Sequence, residues 1–260
     1  MKTAVLFSLG VLLTPLAAQN PGDSAATQVK DKAGAGKVEL LPNQQAFLNL
    51  PKETRTAFAK HLSEANRIFQ QKRIVETLEE LDKAAAIFVD SPEIFNLRGS
   101  CYVEMRAFDK ALAAFTKAAT YSKDNPSIEF NIGETYFCTK QWQKALDFFE
   151  KVLKKLPPEN ITLGRLVEFK ILLCKKKLGK KEEAAALAEK YDYLDDSPFY
   201  YYANAAIAYD DNNKVKAEEW LGMASRIFRD PQVTAAWQDT LVEFGYIKSF
   251  YGQEDAPSSE

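Results

Sequence analysis

One histidine, His61, stands in 260 residues. A metal site built from several imidazoles is therefore excluded, and a catalytic base of the usual kind would have to be this single side chain. The three cysteines, Cys101, Cys138 and Cys174, show no C-x2-C spacing, which removes structural zinc. No glycine-rich loop of the phosphate-cradling type is present. Basic excess is also missing: 34 Lys and Arg face 36 Asp and Glu, for a net charge of -2, so nothing in the balance favours a phosphate backbone. No apolar run reaches the roughly 20 residues of a membrane-spanning helix. The expectation is a protein that is not an enzyme, with no cofactor, no metal, no nucleic-acid partner and no transmembrane span in the mature chain.

What is present is ordinary for a soluble protein with a substantial core: 46% hydrophobic and 27% charged residues. Residues 1–18 read as a signal peptide, with Lys2 as the positive start, Ala4 to Leu13 as the apolar stretch and Pro15-Leu16-Ala17-Ala18 as the small-residue exit. Export follows, to the periplasm of a two-membrane bacterium in the first instance, with secretion as the alternative. Outside the cytoplasm disulfides persist. The cysteines read as small buried hydrophobes; a Cys101–Cys138 bridge is the other reading, though close-packed helix axes roughly 8–10 Å apart are wide for it.

Residues 19–37 are rich in Ala, Gly, Asp, Lys and Ser and read as a flexible linker; residues 38–56 bring in Leu40, Leu41, Phe47, Leu48 and Leu50 and read as an N-terminal cover. Beyond Pro51 the pattern is helical. Ser91-Pro92, Asn125-Pro126, Ser197-Pro198 and Asp230-Pro231 each pair a capping side chain with a proline suited to the first helical turn, so each predicts a helix start. Pro157-Pro158 predicts a stop.

"GSCYVEMRAFDKALAAFTKA" begins at Gly99, and its pattern returns in "GETYFCTKQWQKALDFFEKV" from Gly133. Gly99, Tyr102, Phe108, Ala111 and Phe115 reappear 34 residues later as Gly133, Tyr136, Trp142, Ala145 and Phe149. The small residue continues as Ala184 and Ala217, at spacings of 34, 39 and 33 from Ala111 onward. A fixed period of this size is the mark of a solenoid of helical hairpins.

These repeat positions resemble the tetratricopeptide repeat family, carried most fully by the two middle repeats. The usual early Trp of that family is His61, Phe95 or Glu129 here, and the fourth unit is stretched by five residues. The resemblance implies an all-α tetratricopeptide-type solenoid over residues 57–230, in five repeats (57–90, 91–124, 125–158, 159–197, 198–230). A capping helix follows at 231–252, with Trp237, Leu241, Phe244 and Tyr251 on one side, and then a disordered tail at 253–260.

In that family the first helix of each repeat lines a concave groove. The resemblance therefore implies, as groove candidates, Asn66 and Phe69 in repeat one, and Asn96, Ser100, Val103 and Glu104 in repeat two. Repeat three gives Phe130, Glu134 and Phe137, repeat four Phe169 and Lys176, and repeat five Tyr202 and Tyr209. Of the successive rings Phe199 to Tyr202, at least one must point outward. The carboxylate clamp of some tetratricopeptide domains does not match, because Leu62 occupies a clamp lysine's place. Lys175, Lys176, Lys177, Lys180 and Lys181 gather at a helix end, as a solvated turn or an anion-docking patch. The expected function is a scaffold that binds another protein, through a peptide or partner helix laid in the groove. The alternative is a structural subunit of an envelope or secretion assembly, gripped on its convex face.

Overall fold

The computed structural model describes residues 40–248. The segments expected to be a signal peptide (1–18), a linker (19–37) and a tail (253–260), and Tyr251, lie outside the described residues. Among the described residues there are twelve helices and no strand. They divide into two compact units, 40–132 and 133–248, the division falling within one helix.

The first unit holds α1 (Pro42–Leu48), α2 (Lys52–Gln70), α3 (Ile74–Ile87), α4 (Pro92–Glu104), α5 (Phe108–Tyr121) and the start of α6 (Pro126–Cys138). α2 pairs with α3 and α4 with α5, and α4 also packs on α2 and α3. Gly99 on α4 makes the second pairing possible. A Cβ at Gly99 would lie within 2.7 Å of three ring carbons of Phe115, which is itself buried on α5. α1 lies on the first hairpin through Phe47, whose ring is 5.2 Å from Phe58 and 5.3 Å from Phe88.

The second unit holds the rest of α6, α7 (Trp142–Lys155), α8 (Ile161–Lys177), α9 (Lys181–Ala188), α10 (Phe199–Asp210), α11 (Lys214–Ile227) and α12 (Pro231–Phe244). Gly133 repeats the close approach, since its Cβ would be 2.9 Å from Phe149. The repeat positions Ala111, Ala145, Ala184 and Ala217 are all buried, and Tyr102, Tyr136 and Trp142 are half-buried at the hairpin edges. α8 packs against α7, α9, α10 and α12, which makes it the centre of this unit.

Three of the four predicted caps are made; at Ser197-Pro198 the helix starts one residue later, with Pro198 in the cap position, and Ser197 accepts a bond from just outside it. Ser91 Oγ accepts from Ile94 N–H, Asn125 Oδ1 from Ser127 N–H at 3.0 Å, Ser197 Oγ from Phe199 N–H at 3.2 Å, and Asp230 Oδ1 from Gln232 N–H at 2.9 Å. The turn inside each hairpin has one left-handed residue: Lys72, Arg106, Lys140, Gly179 and Asn212, with φ between 55° and 75°. Their spacings of 34, 34, 39 and 33 are the repeat period again. Only one of the five is glycine, although a side chain in this region costs roughly 1 kcal/mol.

The stretched fourth repeat has most of its extra length in α8, which has 17 residues against 13 in α4 and α6; the connection from α9 to α10 is long because α9 ends after 8 residues. Buried Glu168 on α8 holds this connection, accepting from Lys190 at 2.5 Å and from the Tyr191 hydroxyl at 3.1 Å. Arg165 lies 3.7 Å over the Tyr191 ring and donates to Asp195 at 3.1 Å.

Candidate functional site

The first helices of the repeats are α2, α4, α6, α8 and α10, and the candidate groove residues lie on them. In the first unit, Phe69, Ser100, Val103 and Phe130 are buried. Asn66, Asn96 and Glu104 are half-buried. Asn66 Nδ2 donates to the Leu62 carbonyl at 2.9 Å, and Asn131 Nδ2 donates to Asn96 Oδ1 at 2.9 Å. Lys72 Nζ meets Glu104 Oε1 at 2.7 Å, while burial pushes the Glu104 carboxyl above its ordinary range against the pull of that cation. The polar groups of this surface are thus Asn66, Asn96 and the Lys72–Glu104 pair.

In the second unit the candidates Glu134, Phe137, Phe169 and Tyr202 are all buried, at 8%, 1%, 0% and 1% exposure. They are therefore not open to a visiting ligand in this structure, and α12 is the reason. Trp237 lies 5.3 Å from Phe169 and 5.4 Å from Tyr202. Phe244 lies 6.1 Å from Phe137 and 5.5 Å from Trp142. Past the left-handed Gly245, which ends α12, Tyr246 stacks on Tyr209 at 5.1 Å with 14° between the rings, and its hydroxyl donates to Asp210 at 2.5 Å. The terminal helix runs from Pro231 to Phe244 and is stopped by left-handed Gly245, short of the 252 expected from the sequence, and its apolar stripe is turned onto the first helices of repeats three, four and five.

Lys170 sits beneath α12 and is 3% exposed. Its Nζ is 2.9 Å from Glu134 Oε1, donates to Thr240 Oγ1 at 2.7 Å, and lies 5.0 Å from the Phe137 ring. The Thr240 hydroxyl donates to the Ala236 carbonyl at 2.6 Å, which leaves its oxygen lone pairs to accept from Lys170. Burial raises the Glu134 carboxyl, opposed by Lys170. A charge this deeply buried is tolerated because each partner is in reach. Neither Lys170 nor Thr240 was among the sequence-based candidates; the only signal was a lysine inside an otherwise apolar run.

Three of the five clustered lysines are paired with carboxylates within the fold. Lys175 pairs with Glu183 and, at 3.6 Å, Glu150; Lys176 pairs with Asp210 at 2.7 Å; Lys177 lies 4.5 Å over the Phe244 ring; Lys180 is 3.9 Å from Glu183. Of the rings 199–202, Tyr200 is the outward one: it is half-buried against Trp220 at 5.6 Å, and the other three are buried. His61 is hydrogen-bonded to Glu80 at 2.5 Å, and Lys83 reaches the same carboxylate at 2.7 Å. None of the three cysteines is in a disulfide and all are buried; burial pushes the Cys101 and Cys174 thiols up to about 12, so both stay protonated.

Neither the protein-family models nor the curated protein sequences give a match to this chain. Solved structures do. PilF of Pseudomonas aeruginosa superposes with a TM-score of 0.54 at 15% identity, covering 75% of this chain and 94% of that one. The Rap conjugation gene regulator of plasmid pLS20, solved with the Phr* peptide, gives 0.50 at 16% identity over 82% of this chain and 64% of its own. YrrB, described as a TPR protein with an unusual peptide-binding site, gives 0.47 at 21% identity, covering 75% of this chain and 96% of that one. With the 34-residue period, the paired helices and the superpositions on PilF and the Rap regulator together, the fold of the described residues is the tetratricopeptide-repeat α-solenoid.

Proposed function

We propose that the chain is a non-catalytic interaction scaffold, exported to the periplasm, whose first-helix surface takes a peptide or helix of another protein. The observation that carries this is the seating of α12. A helix with an apolar stripe is held on the first helices of three successive repeats by rings, a buried amine and a terminal hydroxyl. Helix-in-groove recognition uses these same parts. A neighbour of the same fold, the Rap regulator, was solved with a peptide. Export rests on the sequence of residues 1–18.

The test uses the first unit, where the polar pair Lys72–Glu104 is accessible in part. The double replacement Lys72→Glu with Glu104→Lys keeps the internal ion pair and inverts the local polarity. A protein captured from envelope extract by the natural chain and lost by the inverted chain, with helical circular dichroism unchanged, supports the reading. Equal capture by both moves the contact off this surface, and the assembly-subunit reading then leads.

A further inference from the structure

From Thr234 to Phe244 no residue of α12 is exposed. A helix that only closed the end of a stack would show water a full face, as α11 does at Lys214, Val215, Lys216, Glu218 and Glu219. Beyond its exposed first turn, α12 is instead partly covered on its flanks and buried along its stripe. Correspondingly, Leu166 to Cys174 on α8 are all buried, nine residues in succession, which a helix with one solvent face cannot achieve.

We infer that α12 is the resident, displaceable ligand of a helix-binding site on repeats three to five, and that the site's partner is an amphipathic helix of another protein repeating α12's stripe. This rests on the reading of the first-helix surface as a binding surface. The stripe is an aromatic (Trp237), a hydroxyl three residues on (Thr240), a leucine beside it (Leu241) and an aromatic a further turn along (Phe244). Each has a counterpart in the floor: Phe169 and Tyr202 for the indole, Lys170 for the hydroxyl, Phe137 and Trp142 for the second ring. Lys177 at 4.5 Å from the Phe244 ring puts a cation where a helix C-terminus needs one.

Two features make the helix a ligand rather than a fixed part of the core. The connection from α11 is the short segment Phe228–Asp230, with Arg229 and Asp230 exposed, so a hinge there frees α12 without disturbing a hairpin. The floor beneath it contains the Lys170–Glu134 ion pair, whose desolvation is a cost of the closed state that opening returns. On opening, Lys170 keeps Glu134 and exchanges Thr240 for water.

The probe is a fluorescent synthetic peptide of residues 230–248, titrated into the full chain and followed by anisotropy. The expected result is saturable binding, at least tenfold tighter to a Phe244→Ala chain whose helicity is intact, and at least tenfold weaker for a peptide carrying Trp237→Ala. No binding by either chain overturns the inference and leaves the Lys72–Glu104 test of the scaffold reading untouched. Should Phe244→Ala unfold, Tyr246→Ala, which removes the terminal contacts with Tyr209, Asp210 and the Phe244 ring, takes its place; a several-fold tightening supports the inference and an unchanged affinity overturns it. A chain that dimerises with concentration, in a dimer the peptide dissolves, would make the occupant α12 of a second copy and overturn the assignment to a separate partner.

Discussion

The ring of Phe244 on α12 lies 6.1 Å from that of Phe137 on α6, with 27° between their planes. The last described helix thus reaches the first helix of the third repeat, and the second unit is closed by its own end.

The glycines at the hairpin contacts should be intolerant of a single methyl. Gly99→Ala drives a Cβ into the Phe115 ring, and Gly133→Ala meets Phe149 and the Cβ of Phe148. Overpacking of this kind costs roughly 1–3 kcal/mol, and Gly99 is the tighter site. Urea unfolding is expected to show both variants destabilised, Gly99→Ala the more.

Lys140→Gly is expected to do the opposite. Lys140 is exposed with φ of 59°, in the turn where the fourth repeat has Gly179. Relief of the left-handed strain is worth about 1 kcal/mol, offset in part by the greater freedom of glycine in the unfolded chain. A raised midpoint in thermal unfolding checks it; a lowered one would show that this turn carries no strain.

Lys170→Ala should be among the most damaging single changes, because it leaves the Glu134 carboxylate buried without its cation. Removal of one partner from a buried pair costs about 3–5 kcal/mol. Lys170→Met with Glu134→Leu, which removes both charges, is expected to recover most of that loss in the same measurement.

Alkaline pH should loosen the second unit. Burial raises the Tyr202 hydroxyl well above the ordinary tyrosine range, and burial followed by Asp210 does the same for Tyr246. A raised folded value means the unfolded chain loses its protons first. The stabilisation is therefore complete below the unfolded tyrosine value near 10 and is lost as pH rises beyond it toward the folded value. Tyr202→Phe should flatten the fall by about 1.4 kcal/mol per pH unit above that point, measured by denaturant unfolding at fixed pH steps.

Much of the fold was legible because a repeat forces the same contacts to recur. Gly99 and Gly133 need the same small size against Phe115 and Phe149, so the period is written in the sequence. Caps at Ser91, Asn125 and Asp230 were legible because one side chain does the whole job locally. The seat of α12 was not, because a stripe shows which face is buried and not what covers it. A trace existed in "LVEFKILLC" of α8, whose near-continuous apolar run fits a helix covered on every side. For the same reason Phe130 and Phe137, read as groove anchors, are buried, and their replacement by alanine would remove core.

The seating of α12 is tested most directly by a double-mutant cycle on Phe137→Leu and Phe244→Leu, each measured by urea unfolding. A stacked aromatic pair predicts a coupling of about 0.5–1.5 kcal/mol. Effects that simply add, to within about 0.3 kcal/mol, would mean that the two rings do not meet and that α12 lies elsewhere.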